Sequence, residues 1–126
     1  LYKRFNLILP KSKNYHGSYP NNVVVIGGGR WARVIVEELH KLSPPEVNIS
    51  IHSLHNAKGM EAWVSNKGFE NKIDVYSFLP NSYSNTSTAV IIVNAASDHD
   101  KSLRWALERD YSVLVEKPLS LNFLAA

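Results

Sequence analysis

Cysteine is absent from this 126-residue sequence, and so are long hydrophobic runs. Without cysteine the chain has no disulfide framework and no thiolate ligands, and we predict no metal site. No apolar run approaches the roughly 20 residues that a helix needs to cross a bilayer, so we expect no membrane partner. Residues 1–13 also lack the apolar core of a secretory signal, and we therefore expect a cytoplasmic protein.

Strong charge of one sign is also lacking, since the formal net charge is only +3. Part of it is concentrated near the N-terminus, at Lys3, Arg4, Lys11 and Lys13. We interpret this segment as a solvated arm and predict no nucleic-acid partner, because the arm contains no recognisable nucleic-acid-binding motif. Hydrophobic residues at 44% and charged residues at 20% are typical of a soluble globular protein.

The chain divides into two parts by composition. The stretch "PKSKNYHGSYP", at positions 10–20, is polar, rich in turn-forming residues and bracketed by prolines. We interpret residues 1–20 as an N-terminal extension or linker and residues 21–126 as one domain. Because the first residue is Leu1 rather than methionine, we expect that the chain was processed or is a fragment of a longer protein.

Apolar runs and helical spacings alternate along residues 21–126. Strands are predicted over 23–26, 47–52, 73–76, 89–93 and 111–115. Helices are predicted over 30–42, 57–66 and 98–109, the first ended by two prolines and the second by Gly68. The stretch "LPNSYSNTST" is predicted to be a loop with at most one helical turn. This alternation predicts right-handed βαβ crossovers and a single α/β domain with a Rossmann-type doubly wound, mostly parallel sheet.

Three glycines stand between the first predicted strand and the first predicted helix. Gly27, Gly29 and Ala32 satisfy the pattern G-x-G-x-x-A in the strand–turn–helix context of a dinucleotide-binding fingerprint. Gly27 would make the tight turn, Gly29 would let a pyrophosphate approach, and Ala32 would allow close helix packing. Arg30 could add a positive charge, and we include Trp31 among the candidate cofactor residues. The alternative is a merely flexible turn, with Arg30 as a solvated surface residue.

An acid is missing where this fingerprint usually continues. Residues 49–59, "ISIHSLHNAKG", contain no Asp or Glu, although an acid at the end of the second strand normally binds the adenosine ribose hydroxyls. Ser53, His55, Asn56 and Lys58 stand there instead, and hydroxyls and cations favour a ribose 2′-phosphate. The sequence thus favours NADP(H) over NAD(H). The alternative is that His52, His55 and Lys58 simply begin a surface helix.

A second group of residues follows the last predicted strand. Glu116, Lys117 and Pro118 fall at the carboxyl edge of the sheet, where open α/β sheets bind ligands. A lysine there could donate a proton to a substrate oxygen, although a surface ion pair before a turn is the alternative. The glycine turn together with Glu-Lys-Pro resembles the glucose–fructose oxidoreductase/inositol dehydrogenase (Gfo/Idh/MocA) family over residues 22–122.

The resemblance implies an NAD(P)-dependent oxidoreductase that transfers hydride to or from a sugar, a cyclitol or a related carbonyl or imine compound. Lys117 would contact the nicotinamide ribose and the substrate as the catalytic residue. The other implied cofactor residues are Asn94, Ala95, Ala96, His99, Glu116 and Pro118. His99 and Ala106 match the family's usual His and Ala, although His99 could equally face water at the helix end.

This sequence also departs from the family pattern. Asn94-Ala95 replaces the usual Thr-Pro, and Asp110 replaces the usual Gly before the fifth strand. Family members carry a second domain that supplies most substrate contacts, and we expect the small-molecule substrate to bind through such a domain, absent from this chain. A non-catalytic dinucleotide-binding module or sensor, or a subunit completed by a partner chain, is the alternative. The sequence leaves open whether the protein forms a homo-oligomer.

Overall fold

The computed structural model describes residues 5–8, 19–83 and 87–116, and within it six strands form one sheet. In chain order the strands are β1 (Phe5–Ile8), β2 (Asn22–Ile26), β3 (Asn48–His52), β4 (Ile73–Tyr76), β5 (Thr88–Ile92) and β6 (Ser112–Glu116). Their order across the sheet is β1-β6-β5-β2-β3-β4. Five strands are parallel, and β1 pairs with β6 in the antiparallel direction.

Within the described residues, three α-helices connect successive parallel strands, β2 to β3, β3 to β4 and β5 to β6. These are α1 (Arg30–Leu42), α2 (Ala57–Asn66) and α3 (His99–Glu108), the last preceded by a 3-10 turn at Ala96–Asp98. None of these helices combines the length and the apolarity needed to cross a membrane. The chain leaves β2 toward β3 on one side and returns to β5 on the other, which is the strand order of a Rossmann-type sheet. The predicted fold class is therefore confirmed.

The strand β1 is a feature that the sequence did not predict. It lies in the segment that we interpreted as an extension, and it pairs with β6 from Phe5 opposite Glu116 to Ile8 opposite Val113. Four residues are too few for a hydrophobic period to be recognised, and the pairing partner lies at the far end of the chain. The basic residues Lys3, Arg4, Lys11 and Lys13 lie outside the described residues.

Two helices end in the same way with different residues. Gly68, which follows α2, has φ +76°, and Phe69 N–H donates to Val64 O at 2.9 Å. Asp110, which follows α3, has φ +60°, and Tyr111 N–H donates to Ala106 O at 3.1 Å. Both are Schellman motifs, which need one residue in the left-handed conformation. Asp110 thus adopts a conformation that glycine adopts most easily, at a position where the resemblance described above leads us to expect glycine.

The core has two parts, one on each face of the sheet. On what we call the helix-covered face, α1 and α2 pack against the sheet, with Val25, Ile51 and Met60 fully buried. On what we call the loop-covered face, α3 shares the cover with the connection that follows β4, through Leu79 and Tyr83. The described residues of that connection, 77–83 and Ser87, contain no helix. This agrees with the loop predicted there.

Candidate functional site

A cavity of about 360 Å³ opens at the carboxyl ends of β2, β3 and β5. Three strand-end segments line it, residues 26–31, 52–56 and 93–95, together with Asp98 from the 3-10 turn. The cavity lies at the point where the chain direction across the sheet reverses, and open α/β sheets bind their ligands there. The glycine turn, the β3 end and the β5 end, which are far apart in the sequence, thus form one site.

The three glycines of the turn have different surroundings. A Cβ at Gly27 would lie 2.9 Å from Val93 Cγ2, and a Cβ at Gly28 would collide with Ser53 Oγ. A Cβ at Gly29 would meet no atom within 4 Å. Gly27 and Gly28 are therefore required by packing against the neighbouring strand ends, whereas Gly29 leaves space inside the cavity mouth. The sequence motif gave Gly28 no role, because its neighbours come from a distant part of the chain.

The N-terminus of α1 borders this space. Gly29 is its N-cap residue, no side chain caps the helix, and the first turn contains no acid. The Arg33 N–H donates the helical hydrogen bond that Gly29 O accepts, at 3.3 Å. Helix N-termini with unpaired N–H groups and no nearby carboxylate attract anions. The geometry of the turn therefore fits a phosphate group.

The other residues of this turn divide by burial. Arg30 is exposed at the start of α1, Trp31 is half-buried, and Ala32 is fully buried. Trp31 and Ala32 belong to the apolar cluster of the helix-covered face. The side chain at Ala32 is small enough for α1 to lie close to the sheet, as the fingerprint requires.

The loop between β3 and α2 is fixed by short-range hydrogen bonds. Ser53 is buried, and its Oγ accepts a bond from Asn56 N–H at 3.0 Å. The Asn56 side-chain amide donates to Gly28 O at 2.8 Å, which ties this loop to the glycine turn. The Ser53 hydroxyl thus forms part of the loop's internal structure. His55 in the loop and Lys58 in the first turn of α2 are exposed.

The histidine that ends β3 is buried rather than at the start of a surface helix. His52 is 1% exposed, and its Nδ1–H donates to Phe78 O at 2.7 Å. The hydroxyls of Ser50 and Tyr83 each lie 3.0 Å from His52 Nε2. Burial lowers the pKa of His52, although the bond to Phe78 opposes that change, and the net effect favours the neutral ring. The surface-helix alternative was therefore wrong for His52.

On the β5 side, a buried histidine supports the cavity wall. His99 is 2% exposed and donates from Nε2 to Asn94 O at 2.9 Å. The Asn94 amide nitrogen donates to Ser102 Oγ at 2.9 Å, while Asn94 Oδ1 is buried without a hydrogen-bond partner in the described part of the chain. The alternative that His99 faces water was wrong. Ala95 and Ala96 are exposed beside Asn94.

A contact between a histidine and a carboxylate crosses the cavity mouth. His55 Nε2 lies 3.2 Å from Asp98 Oδ2, which joins the loop after β3 to the turn after β5. Asp98 was not predicted as a site residue, because nothing in the sequence relates it to His55.

The last group of predicted residues lies partly beyond the described chain. Glu116 ends β6 and is half-buried opposite Phe5. Lys117 and Pro118 lie outside the described residues, so the predicted catalytic residue has no structural account.

Residues 21–126 match the profile of the oxidoreductase family with an NAD-binding Rossmann fold, GFO_IDH_MocA. The chain belongs to this family, as its motifs indicated. Searches of curated proteins and of solved structures gave no match. Family and fold together define an NAD-binding oxidoreductase domain.

Proposed function

We propose that this chain is the nucleotide-binding part of an oxidoreductase that transfers hydride between NADP(H) and a sugar, a cyclitol or a related carbonyl or imine compound. The observation that carries the proposal is the open space at Gly29 beside the uncapped N-terminus of α1. A pyrophosphate placed there would accept hydrogen bonds from backbone N–H groups and gain from the helix dipole.

Different segments would hold different parts of the cofactor. The turn residues Gly27, Gly29, Arg30, Trp31 and Ala32 would hold or shape the pyrophosphate site. The nicotinamide side would be formed by Asn94, Ala95, Ala96, His99, Glu116, Lys117 and Pro118. The cofactor supplies the hydride chemistry when bound, and the protein orients it. Lys117 would hold a substrate oxygen and supply its proton.

The preference for NADP(H) rests on the β3 end. Residues 49–59 contain no carboxylate, so no acid from this strand would repel a 2′-phosphate. His55 and Lys58 are exposed there and provide hydrogen-bond donors, and Ser53 forms the base of the same loop. We expect NADPH to bind more tightly than NADH in calorimetric titrations. Tighter binding of NADH would contradict the preference.

The substitution Gly29→Val tests the phosphate site. The Gly29 backbone is extended, with φ −111° and ψ −164°, and a Cβ meets nothing within 4 Å, so valine should fit the free protein. We expect dinucleotide binding to fall below detection in calorimetry, because the side chain would occupy the phosphate space. The thermal unfolding midpoint serves as the internal control and should stay within a few degrees of the wild-type value. Unchanged affinity would disprove the phosphate site.

A further inference from the structure

Asp98 introduces a carboxylate into a cavity that otherwise suits an anion. Its Oδ2 lies 3.2 Å from His55 Nε2, and it lines the same cavity as the glycine turn. The β3 end contains no acid, but Asp98 brings one into the same cavity from the opposite wall. Asp98 contacts His55, a residue proposed to favour the 2′-phosphate.

The two partners differ in how firmly they are held. Asp98 is three-quarters buried, and its backbone N–H donates to Ala95 O at 2.8 Å. The next residue, His99, is anchored by its bond to Asn94 O. The His55 side chain is 76% exposed, although its loop is fixed by Asn56. The Asp98 carboxylate is therefore the fixed partner, whereas the exposed His55 side chain can turn toward another hydrogen-bond acceptor.

A bound NADP(H) would offer the His55 ring a second acceptor, its 2′-phosphate. The Nε2–H of His55 is one donor, and a carboxylate oxygen and a phosphate oxygen are competing acceptors for it. We propose that Asp98 is a specificity-determining residue, which competes with the 2′-phosphate of NADP(H) for His55. This inference rests on the proposed cofactor site and adds to it the residue that limits the preference for NADP(H).

The test uses two ligands that differ only in the 2′-phosphate, adenosine 2′,5′-bisphosphate and adenosine 5′-monophosphate. Calorimetric titration of the whole chain gives the ratio of their dissociation constants. We expect Asp98→Asn to shift this ratio about three- to fivefold toward the 2′-phosphate ligand, the modest size expected for a contact with one exposed partner. Asp98→Ala should shift it in the same direction. In a protein that already carries His55→Ala, adding Asp98→Asn should leave the ratio of dissociation constants unchanged.

Glu108→Gln is the matched control. It removes one negative charge from an exposed residue at the opposite end of α3, and it should leave the ratio unchanged. An equal gain for both ligands in Asp98→Asn would overturn the inference, because Asp98 would then act only by general repulsion, while the cofactor site itself would stand. An unchanged ratio would also overturn it. Failure of the wild-type chain to bind either ligand would overturn the cofactor site and the inference together.

Discussion

The two faces of the sheet are covered by different kinds of structure. On the helix-covered face, α1 and α2 lie over an apolar cluster that includes Val36, Ile51 and Met60. On the loop-covered face, α3 covers one part and residues 77–83 cover another, and the cluster beneath contains Trp105 and Tyr111. On the second face, side-chain hydrogen bonds hold the covering loop.

The reason lies in the backbone. A helix satisfies most of its own N–H and C=O groups, but a loop over a core must find partners elsewhere. Trp105 Nε1–H donates to Pro80 O at 2.7 Å, and His52 Nδ1–H donates to Phe78 O at the same distance. Tyr111 OH accepts a bond from Tyr83 N–H at 2.9 Å. Aromatic and histidine side chains therefore replace the hydrogen bonding that a crossover helix would have provided.

Removal of the Trp105 side chain tests this difference between the two faces and should have the largest effect on stability. The ring is buried against Tyr111 and holds Pro80, so Trp105→Ala should lower the free energy of unfolding by about 3–5 kcal/mol. Amide hydrogen exchange of residues 77–83 should also become faster. Urea unfolding and exchange measurements give both values.

Trp63→Ala is the matched change on the helix-covered face. Trp63 is only half-buried, so its loss should cost less and should leave exchange in residues 77–83 unaltered. Equal effects of the two substitutions on that loop would contradict the difference between the faces.

The second prediction concerns acid sensitivity, which His52 should confer on the loop-covered face. Its folded-state pKa is lowered by burial, so below about pH 6.5 the unfolded chain binds more protons than the folded protein. The contribution of His52 to stability should be full above about pH 6.5 and should fall as the pH drops below it. The slope should not exceed about 1.4 kcal/mol per pH unit.

Chemical unfolding at a series of pH values compares the wild type with two variants. His52→Asn keeps a donor for Phe78 O but does not titrate, so it should show a shallower decline in acid. His40→Gln, on the opposite face beside Phe69, should leave that decline in place. A wild-type decline that persists in His52→Asn would show that other groups cause it.

The smallest expected effect comes from the two helix ends. Asp110→Gly should raise the free energy of unfolding by up to about 1 kcal/mol, because glycine adopts a positive φ without the strain that a Cβ brings. The reverse change at the other helix, Gly68→Asp, should lower it by a similar amount, since a Cβ there meets no atom within 4 Å and only the backbone strain counts. Thermal unfolding measures both. Destabilisation by Asp110→Gly would mean that the aspartate side chain contributes more than its backbone conformation costs.

Sequence reasoning succeeded where local pattern decides structure. The bounds of α1, α2 and β4 agree with their predicted ranges because helical spacing, two prolines and Gly68 mark them in the sequence itself. It failed where the deciding contact is distant. The strand β1 depends on β6, the burial of His52 depends on its contact with Phe78, and Asp98 contacts His55 from a turn that is distant in sequence. A local window contains none of these partners.

The strand ends around the cavity are bonded to one another in series. Gly27 N–H donates to His52 O at 3.0 Å, Val93 N–H donates to Ile26 O at 2.9 Å, and the Asn56 amide donates to Gly28 O. The backbone that surrounds the cavity is therefore ordered before any ligand arrives. A ligand that enters it loses little affinity to the conformational entropy of these loops. Association should also need no slow rearrangement of the backbone, so its rate should be set by diffusion and orientation.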